Sequence, residues 1–486
     1  FKLKSFSVVA LETAVKGAGT VTDFKAPALD LQASCESVDL AKLKNILPDI
    51  FKAYGLETSG EASFNIQFQG PASDLLSGTI NAKADLHNAS ASSSKFNQKI
   101  NNVSGTVTST LDSLSWNNFT GTYLGKAYTL TGGLTDFKDP KVKTTLDGQD
   151  VQLKVDLDKK DDLVTIHELN GKYLKFTFGA AGNVTLPPGK EPVLDIKAQV
   201  SLDLEDLVPF LPADQLKTIE PLKIKGLVNI DGAIKGRAQD WKNWTANARV
   251  ESPLVSAMGY NVHDITVAIA QSNGKVSNLT ADATAYDGKI HAVGSGDVSD
   301  EAMPFDLALN IDGLDLRKLK MDIPNLKSEE INGKFYLTTV GKGTIADING
   351  LHAKGSLAVR EGFLTEFKLF KGLFGILNEV LRLGQVMVTD VEGNFIIENQ
   401  KITTDNLRLK SPSIVLLTEG WVNFDQYCDL NVVVDMTSGI VPSIAEEVLR
   451  SLKIHIYDKI ANPKFGKKIS VPQVINSIIK TIGIFQ

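Results

Sequence analysis

The sequence predicts a mainly β protein in which an elongated, curled antiparallel sheet forms an open hydrophobic groove. Short helices are expected at the sheet edge, and amphipathic helices near the C-terminus. Apolar and polar residues alternate with a period of two, for example over residues 265–269 and 279–283. Gly, Asn and Asp interrupt this alternation about every 8 to 12 residues, which is typical of hairpin turns. A four-strand pattern also recurs along the chain.

The alternation predicts strands with one apolar face and one solvated face, because successive side chains of a strand point to opposite sides. We expect strands of about six residues. The pairs Asn273-Gly274, Asp287-Gly288 and Asn332-Gly333 predict tight turns, since Asn, Asp and Gly tolerate the positive φ that such turns require. The expected body is therefore a long antiparallel meander.

The repeat is visible when residues 103–133, 265–296 and 391–420 are aligned. Each copy begins with a strand, and an apolar residue opens the second strand eleven positions later, at Leu114, Val276 and Ile402. A looser copy covers 151–187, and residues 1–20 look like the end of another. Matched spacing predicts one repeated four-strand unit.

Short edge helices are predicted where an Asp precedes a Leu-x-x-Leu pattern and a Pro follows. The three cases are Asp39 with Pro48, Asp203 with Pro212, and Asp315 with Pro324. An Asp carboxylate accepts hydrogen bonds from the free N–H groups of a first helical turn. Pro then ends the helix after about two turns.

Two strongly apolar helices are predicted near the C-terminus, over 364–383 and 470–486, with a third helix between them that begins at the capping box of Ser443 and Glu446. The first two either cap the open end of the groove or lie on a membrane surface. Their candidate contact residues are Phe367, Phe370, Phe374, Leu377, Leu381, Ile475, Ile478 and Ile482.

The composition excludes several classes of protein. The 486 residues carry a net charge of −6 and no long basic run, so nucleic acid is not a favoured partner. Cys35 and Cys428 are too far apart along the chain for a disulfide framework or a cysteine metal cluster. No run of about 18 apolar residues predicts a membrane-spanning helix. The chain begins at Phe1 within a strand-like run, and we interpret it as a fragment whose N-terminus and any anchor are missing.

Catalytic motifs do not occur: the sequence has no HExxH, CxxC pair, GxSxG or Walker A motif, and its six histidines are dispersed. We therefore predict a protein that is not an enzyme and uses no metal or cofactor. A carbohydrate-active parallel β-helix is also disfavoured, because it needs clustered carboxylates and an aromatic-rich cleft, and only 7% of the residues are aromatic.

The candidate site is the apolar face of the meander. If the sheet curls incompletely, this face lines a trough, and large exposed apolar surfaces normally mark binding sites. A hydrocarbon chain suits such a trough, since its burial scales with area and needs no directional contacts. Ordinary packing against a second layer would produce the same pattern. The candidate lipid-groove residues are Val103, Val107, Ile265, Val267, Ile269, Ile290, Phe395, Ile397, Leu407 and Leu409.

Residues 361–370, 391–411 and 419–425 carry a family resemblance. A glycine-started strand, a hairpin and a closing Gly-containing strand follow one another there, as in the C-terminal domain of AsmA-like proteins, relatives of TamB and YhdP. The chain departs from that pattern at Asn399-Gln400, where the family often has Asn-Gly. The upstream strand units and the Asp-Leu-x-x-Leu elements are similar to the rest of the family, so the resemblance extends over nearly the whole chain.

The resemblance implies a repeating β-groove fold, shared with chorein-type bridge-like lipid transfer proteins. It implies a conduit that carries phospholipid between the inner and outer membranes of diderm bacteria. The chain would be periplasmic, anchored in the inner membrane by a missing N-terminal helix, with an outer-membrane or envelope partner at its C-terminal end. The implied domains are groove units over 1–360, an AsmA-like C-terminal unit over 361–435 and a helical cap over 436–486. The alternative is a structural or adhesive cell-surface β-repeat protein without a lipid ligand.

Overall fold

The computed structural model describes residues 1–10, 13–45, 48–93, 96–207, 219–323, 331–363, 373, 375, 388–412, 414–436 and 452–469. The chain forms two compact units. The first comprises Phe1–Ser201 with Arg237–Gln239, and the second comprises Leu202–Gly236 with Asp240–Gln486. The domain boundaries proposed at 360 and 435 stay predictions.

The fold is mainly β, as predicted. The early strands are β1 (Lys2–Ala10), β2 (Thr13–Thr22), β3 (Ala28–Asp39), β4 (Leu56–Pro71), β5 (Thr79–Ser93), β6 (Phe96–Ser109), β7 (Ser113–Tyr123), β8 (Lys126–Thr135), β9 (Lys141–Gly148), β10 (Val151–Lys160), β11 (Leu163–Tyr173), β12 (Phe176–Thr185) and β13 (Val193–Asp203). The later strands are β14 (Leu227–Arg237), β15 (Thr245–Ala257), β16 (Tyr260–Ser272), β17 (Lys275–Ala285), β18 (Gly288–Asp297), β19 (Pro304–Asp315), β20 (Asn332–Thr344), β21 (His352–Phe363), β22 (Asp390–Glu398), β23 (Lys401–Lys410), β24 (Ile414–Asn423), β25 (Tyr427–Met436), β26 (Leu452–Lys459) and β27 (Lys464–Ile469).

The predicted antiparallel meander is confirmed within each unit. From β1 to β13, and again from β14 to β27, each strand pairs antiparallel with the next strand along the chain. Among the described residues no pairing joins β1 to β13 or β14 to β27, so neither sheet closes on itself.

The predicted strand length of about six residues is wrong for most strands, because β4 has 16 residues and β15 has 13. In three of these strands, one reason is a bulge in the second strand of each aligned copy. The register shifts between Trp116 and Phe119 in β7, between Val276 and Leu279 in β17, and between Thr404 and Leu407 in β23. A bulge changes the phase of the alternation without ending the strand, so one strand looks like two short ones in the sequence.

Two of the hairpin turns have positive φ at both central residues, as predicted for tight turns. Asn273 (φ 46°) and Gly274 (φ 77°) connect β16 to β17. Asn399 (φ 49°) and Gln400 (φ 59°) connect β22 to β23. Gln400 thus adopts the left-handed conformation at the position where the AsmA-like pattern often has Gly. Positive φ at both central residues matches the twist of the flanking strands.

Two other turn predictions need correction. Tyr286 (φ 49°) and Asp287 (φ 64°) form the turn between β17 and β18, and Gly288 is already the first residue of β18. Asn332 and Gly333 form no turn: they begin β20, where Gly333 (φ 122°) lies in a bulge opposite β21. The permissive backbone of Gly serves a bulge as well as a turn, so the dipeptide alone does not distinguish them.

The described helices are short and follow strands: α1 (Pro48–Tyr54), α2 (Leu204–Leu207) and α3 (Leu316–Asp322). Asp315 caps α3 as predicted, because its Oδ1 accepts hydrogen bonds from the backbone N–H groups of Arg317 (2.9 Å) and Lys318 (3.3 Å). Asp203 Oδ1 likewise accepts from the N–H of Glu205 at 3.3 Å.

The predicted helix end at Pro48 is wrong. A 3-10 turn over Leu40–Asn45 follows Asp39, and Pro48 is the first residue of α1. Pro suits a first helical position because its missing N–H would have no partner there. Pro212 and Pro324 lie outside the described residues.

The predicted C-terminal helices fall almost entirely outside the described residues. Of 364–383, only Leu373 and Gly375 are described, both in helical conformation. All eight candidate cap or membrane residues lie outside the described ranges. Among the helices that are described, none has both the length and the hydropathy to span a bilayer.

Candidate functional site

One side of the sheet in the second unit is apolar across many strands. Residues directly opposite each other in a ladder share a face. One row of such partners runs from β16 to β22 and consists of Val267, Ala281, Ala292, Leu309, Thr339, Gly355 and Phe395. We call the side that carries this row the apolar face of the second unit, and the other side its polar face.

The first unit has the same organisation. A row of partners from β8 to β13 consists of Leu130, Leu146, Leu153, Gly171, Phe178 and Val200. A parallel row contains Leu134, Val142, Leu157 and Ile166. The side that carries these rows is the apolar face of the first unit.

Both apolar faces carry little charge. At the paired positions of the first unit's face, the described strands β3 to β13 carry two charged residues, Lys126 and Lys159, both exposed and near strand ends. From β14 to β25 in the second unit, the paired positions of the face carry no Lys, Arg, Asp or Glu. Each face therefore offers apolar area and few directional groups to a ligand.

The polar faces carry ion pairs between neighbouring strands. In the first unit, Lys143 pairs with Asp156 at 2.8 Å, and Lys154 pairs with Glu168 at 2.7 Å. In the second unit, Glu392 bridges Arg360 on β21 (2.9 Å) and Lys410 on β23 (2.5 Å). The two sides of each sheet thus differ sharply in chemistry.

The Glu392 bridge predicts a pH dependence. The pKa of Glu392 lies below its ordinary value, mainly because Lys410 donates a hydrogen bond to the carboxylate; the charge of Arg360 adds to this, and partial burial opposes it. A lowered folded-state pKa contributes stability above the ordinary Glu pKa, and this contribution disappears as the pH falls through the lowered value. We therefore expect Glu392→Gln to lower the free energy of unfolding at neutral pH but much less in acid.

Urea titrations of both proteins at neutral and acid pH measure this difference. The matched control is Glu398→Gln, which removes a charge from an exposed position at the end of the same strand. A difference between Glu392→Gln and the parent that does not shrink in acid would contradict the assignment.

The apolar face of the first unit is not fully covered by described residues. Val107, Leu146 and Phe178 are half-buried. Between residues 99 and 201, every one of which is described, no residue is fully buried. A face packed against a second layer would contain such residues, because protein interiors are close-packed.

The apolar face of the second unit has two parts. Over β16–β20 most of its side chains are half-buried, as at Val267, Ile290 and Leu309, and Ala285 and Leu314 at one end are fully buried. Over β24–β26 most of them are fully buried, as at Leu416 (1% exposed) and Ile454 (0%), and so is Leu409 of β23. We call these parts the open stretch and the sealed stretch.

The register places every candidate groove residue on an apolar face. Val103 and Val107 lie on the first unit's face, opposite Ala89 and Ala84. The other eight lie on the second unit's face. Phe395 and Leu409 differ from the rest because they are fully buried, at 8% and 2% exposed. Whether any of these residues binds lipid stays a prediction.

The sequence reading missed several residues of the same face. Three of them on β19 could have been recognised from the alternation of the sequence, because they occupy every second position. These are Leu307, Leu309 and Ile311, which alternate with Asp306, Ala308 and Asn310. The second-strand bulge places Val276 and Leu279, three residues apart, on one face. Strict alternation puts residues three apart on opposite faces, so this pair could not be recognised by period alone.

A cavity of about 660 Å³ lies over β18–β22. Most of its lining residues belong to the polar face, among them Val293, Val340, Lys342 and Ile396. Leu307 and Ile397 of the apolar face also contribute to the lining. In the described part of the chain, no group of three or more His, Cys, Asp or Glu could hold a metal ion.

The fold and the site define a protein with an open antiparallel sheet and a nearly uncharged apolar face. No family model matches the chain, and neither does any curated protein. The functional interpretation therefore depends on the geometry of the faces.

Proposed function

We propose that this protein is a non-enzymatic lipid conduit that holds phospholipid acyl chains in a hydrophobic groove formed by the curled sheet. The observation that supports the proposal is the apolar face itself. It continues over successive strands with only Lys126 and Lys159 as charged residues at paired positions of β6–β13 and with none over the open stretch, and most of its side chains are half-buried there.

Acyl chains fit this face for a thermodynamic reason. Each buried methylene contributes about 0.8 kcal/mol, so one acyl chain gains on the order of 10 kcal/mol without any directional contact. A polypeptide or a sugar would instead present polar groups that need hydrogen-bond partners. The headgroups would remain in water beside the sheet, and the ion-paired polar face would keep the other side solvated.

The resemblance of residues 361–425 to AsmA-like proteins supports a place for this conduit in the envelope. In the proposal the chain is periplasmic and carries phospholipid between the inner and outer membranes. A membrane anchor N-terminal to this chain would hold it at the inner membrane, and an envelope partner would meet its C-terminal end.

Mass spectrometry of lipid extracted from the purified protein tests the proposal. The protein is prepared without detergent, and an unrelated soluble protein from the same cells serves as the control. We expect phospholipid to co-purify in at least stoichiometric amount. A folded, lipid-free protein would contradict the proposal and favour the structural or adhesive β-repeat protein.

A further inference from the structure

The sealed stretch is filled by the protein's own side chains. Leu416, Val432 and Ile454, on three successive strands of the apolar face, are each at most 1% exposed. They belong to one core cluster that also contains Leu373 and Val388, neither of which lies in a strand. Leu373 is in helical conformation and 1% exposed. Residues from outside the sheet therefore lie on the sealed stretch.

The open stretch contrasts with this on the same face of the same unit. Val267, Ile290 and Leu309 remain half-buried although their neighbours on the face are equally apolar. Up to β25 both stretches lack charge at their paired positions, although the open stretch contains more Ala, Gly and Thr, such as Ala281 and Thr339, than the sealed stretch. They also differ in how far the described residues cover them.

The boundary between the stretches crosses β21–β23 obliquely. At one end of these strands, Val359, Val391 and Leu409 are paired neighbours and fully buried. At the other end, beside the turn at Asn399 and Gln400, Ile397 is half-buried and its partner Ile402 is 39% exposed. The described part of the chain therefore leaves the apolar face open at the turn end of the β22–β23 hairpin.

We infer that acyl chains occupy the open stretch only, that the sealed stretch is a closed end of the lipid path, and that the path leaves the face sideways past Ile397 and Ile402. This inference rests on the proposed function. A close-packed interior has no volume for an acyl chain, so a chain could pass β23 only by displacing Leu373 and its neighbours. The uncharged route past Ile402 requires no such displacement.

Photo-cross-linking of the whole chain tests the inference. The protein is loaded with a phosphatidylethanolamine that carries a diazirine in one acyl chain, irradiated and digested, and the adducts are mapped by mass spectrometry. We expect adducts on β16–β20 and at Ile397 and Ile402, and only background on the peptides that carry Leu416, Val432 and Ile454.

Two other outcomes are distinguishable. Adducts on the open and sealed stretches alike would overturn the closed end while leaving the conduit intact. Adducts on neither stretch would contradict the proposed function itself, and the inference with it.

Two variants test the sideways route past Ile397 and Ile402. Ile402→Asp places a charge at the exposed end of the route, where it can stay hydrated without unfolding the strand. Adducts at Ile397 should fall by about tenfold, whereas adducts on β16–β18 should persist. Thr403→Asp is the control, because Thr403 is the exposed neighbour on the polar face, and it should change neither yield. Unchanged adducts at Ile397 in Ile402→Asp would refute this route.

Discussion

Val267→Asp is expected to reduce phospholipid cross-linking to β15–β18 by about tenfold or more while the protein keeps its strand content. Val267 lies on the open stretch, between Val250 on β15 and Ala281 on β17. No basic side chain at a paired position of this face can neutralise the new carboxylate. The carboxylate must keep its water, and the retained water excludes an acyl chain from the surrounding surface.

The matched control is Ala268→Asp, one residue further along β16 and on the opposite face. Its register partners are Arg249 and Thr280, so the added charge lies opposite an exposed cation and a hydroxyl group. Cross-linking of the diazirine lipid, quantified by mass spectrometry, should be unchanged in this variant. Full cross-linking in Val267→Asp, or equal loss in both variants, would argue against lipid on this face; circular dichroism checks the strand content.

Leu416→Ala is expected to lower the free energy of unfolding by about 2–5 kcal/mol, the range for a leucine removed from a packed core. Leu416 is 1% exposed, on the sealed stretch of β24. Its loss removes buried apolar area and leaves a cavity that close-packed neighbours cannot fill. Leu309→Ala makes the same chemical change on the open stretch of β19, where the side chain is only half-buried. We expect a loss of about 1 kcal/mol there, since less area returns to water and no closed cavity forms.

Urea unfolding of delipidated protein measures both variants against the parent. Delipidation matters because a ligand that binds only the folded state raises its apparent stability. Similar large losses at Leu309 and Leu416 would mean that protein also covers the open stretch. In that case the lipid proposal would lose its supporting observation.

The order and pairing of the strands could be read from local patterns. The alternation of β19 and the Asn273-Gly274 turn follow from backbone geometry that neighbouring residues alone impose. The helix cap at Asp315 is equally local. The errors are also local in origin. Pro48 is compatible with a helix start as well as a helix end, and Asn332-Gly333 with a bulge as well as a turn.

The alternation, corrected at the bulges, is thus almost sufficient to assign a side chain to the apolar or the polar face. The alternation does not predict which residues cover that face. Val267 and Val432 have similar surroundings in the sequence, yet one is half-buried and the other 1% exposed. The difference arises from residues remote in the chain, such as Leu373, which belongs to the same buried cluster as Val432. Burial depends on what long-range packing brings over a strand, and no pattern within the strand records it.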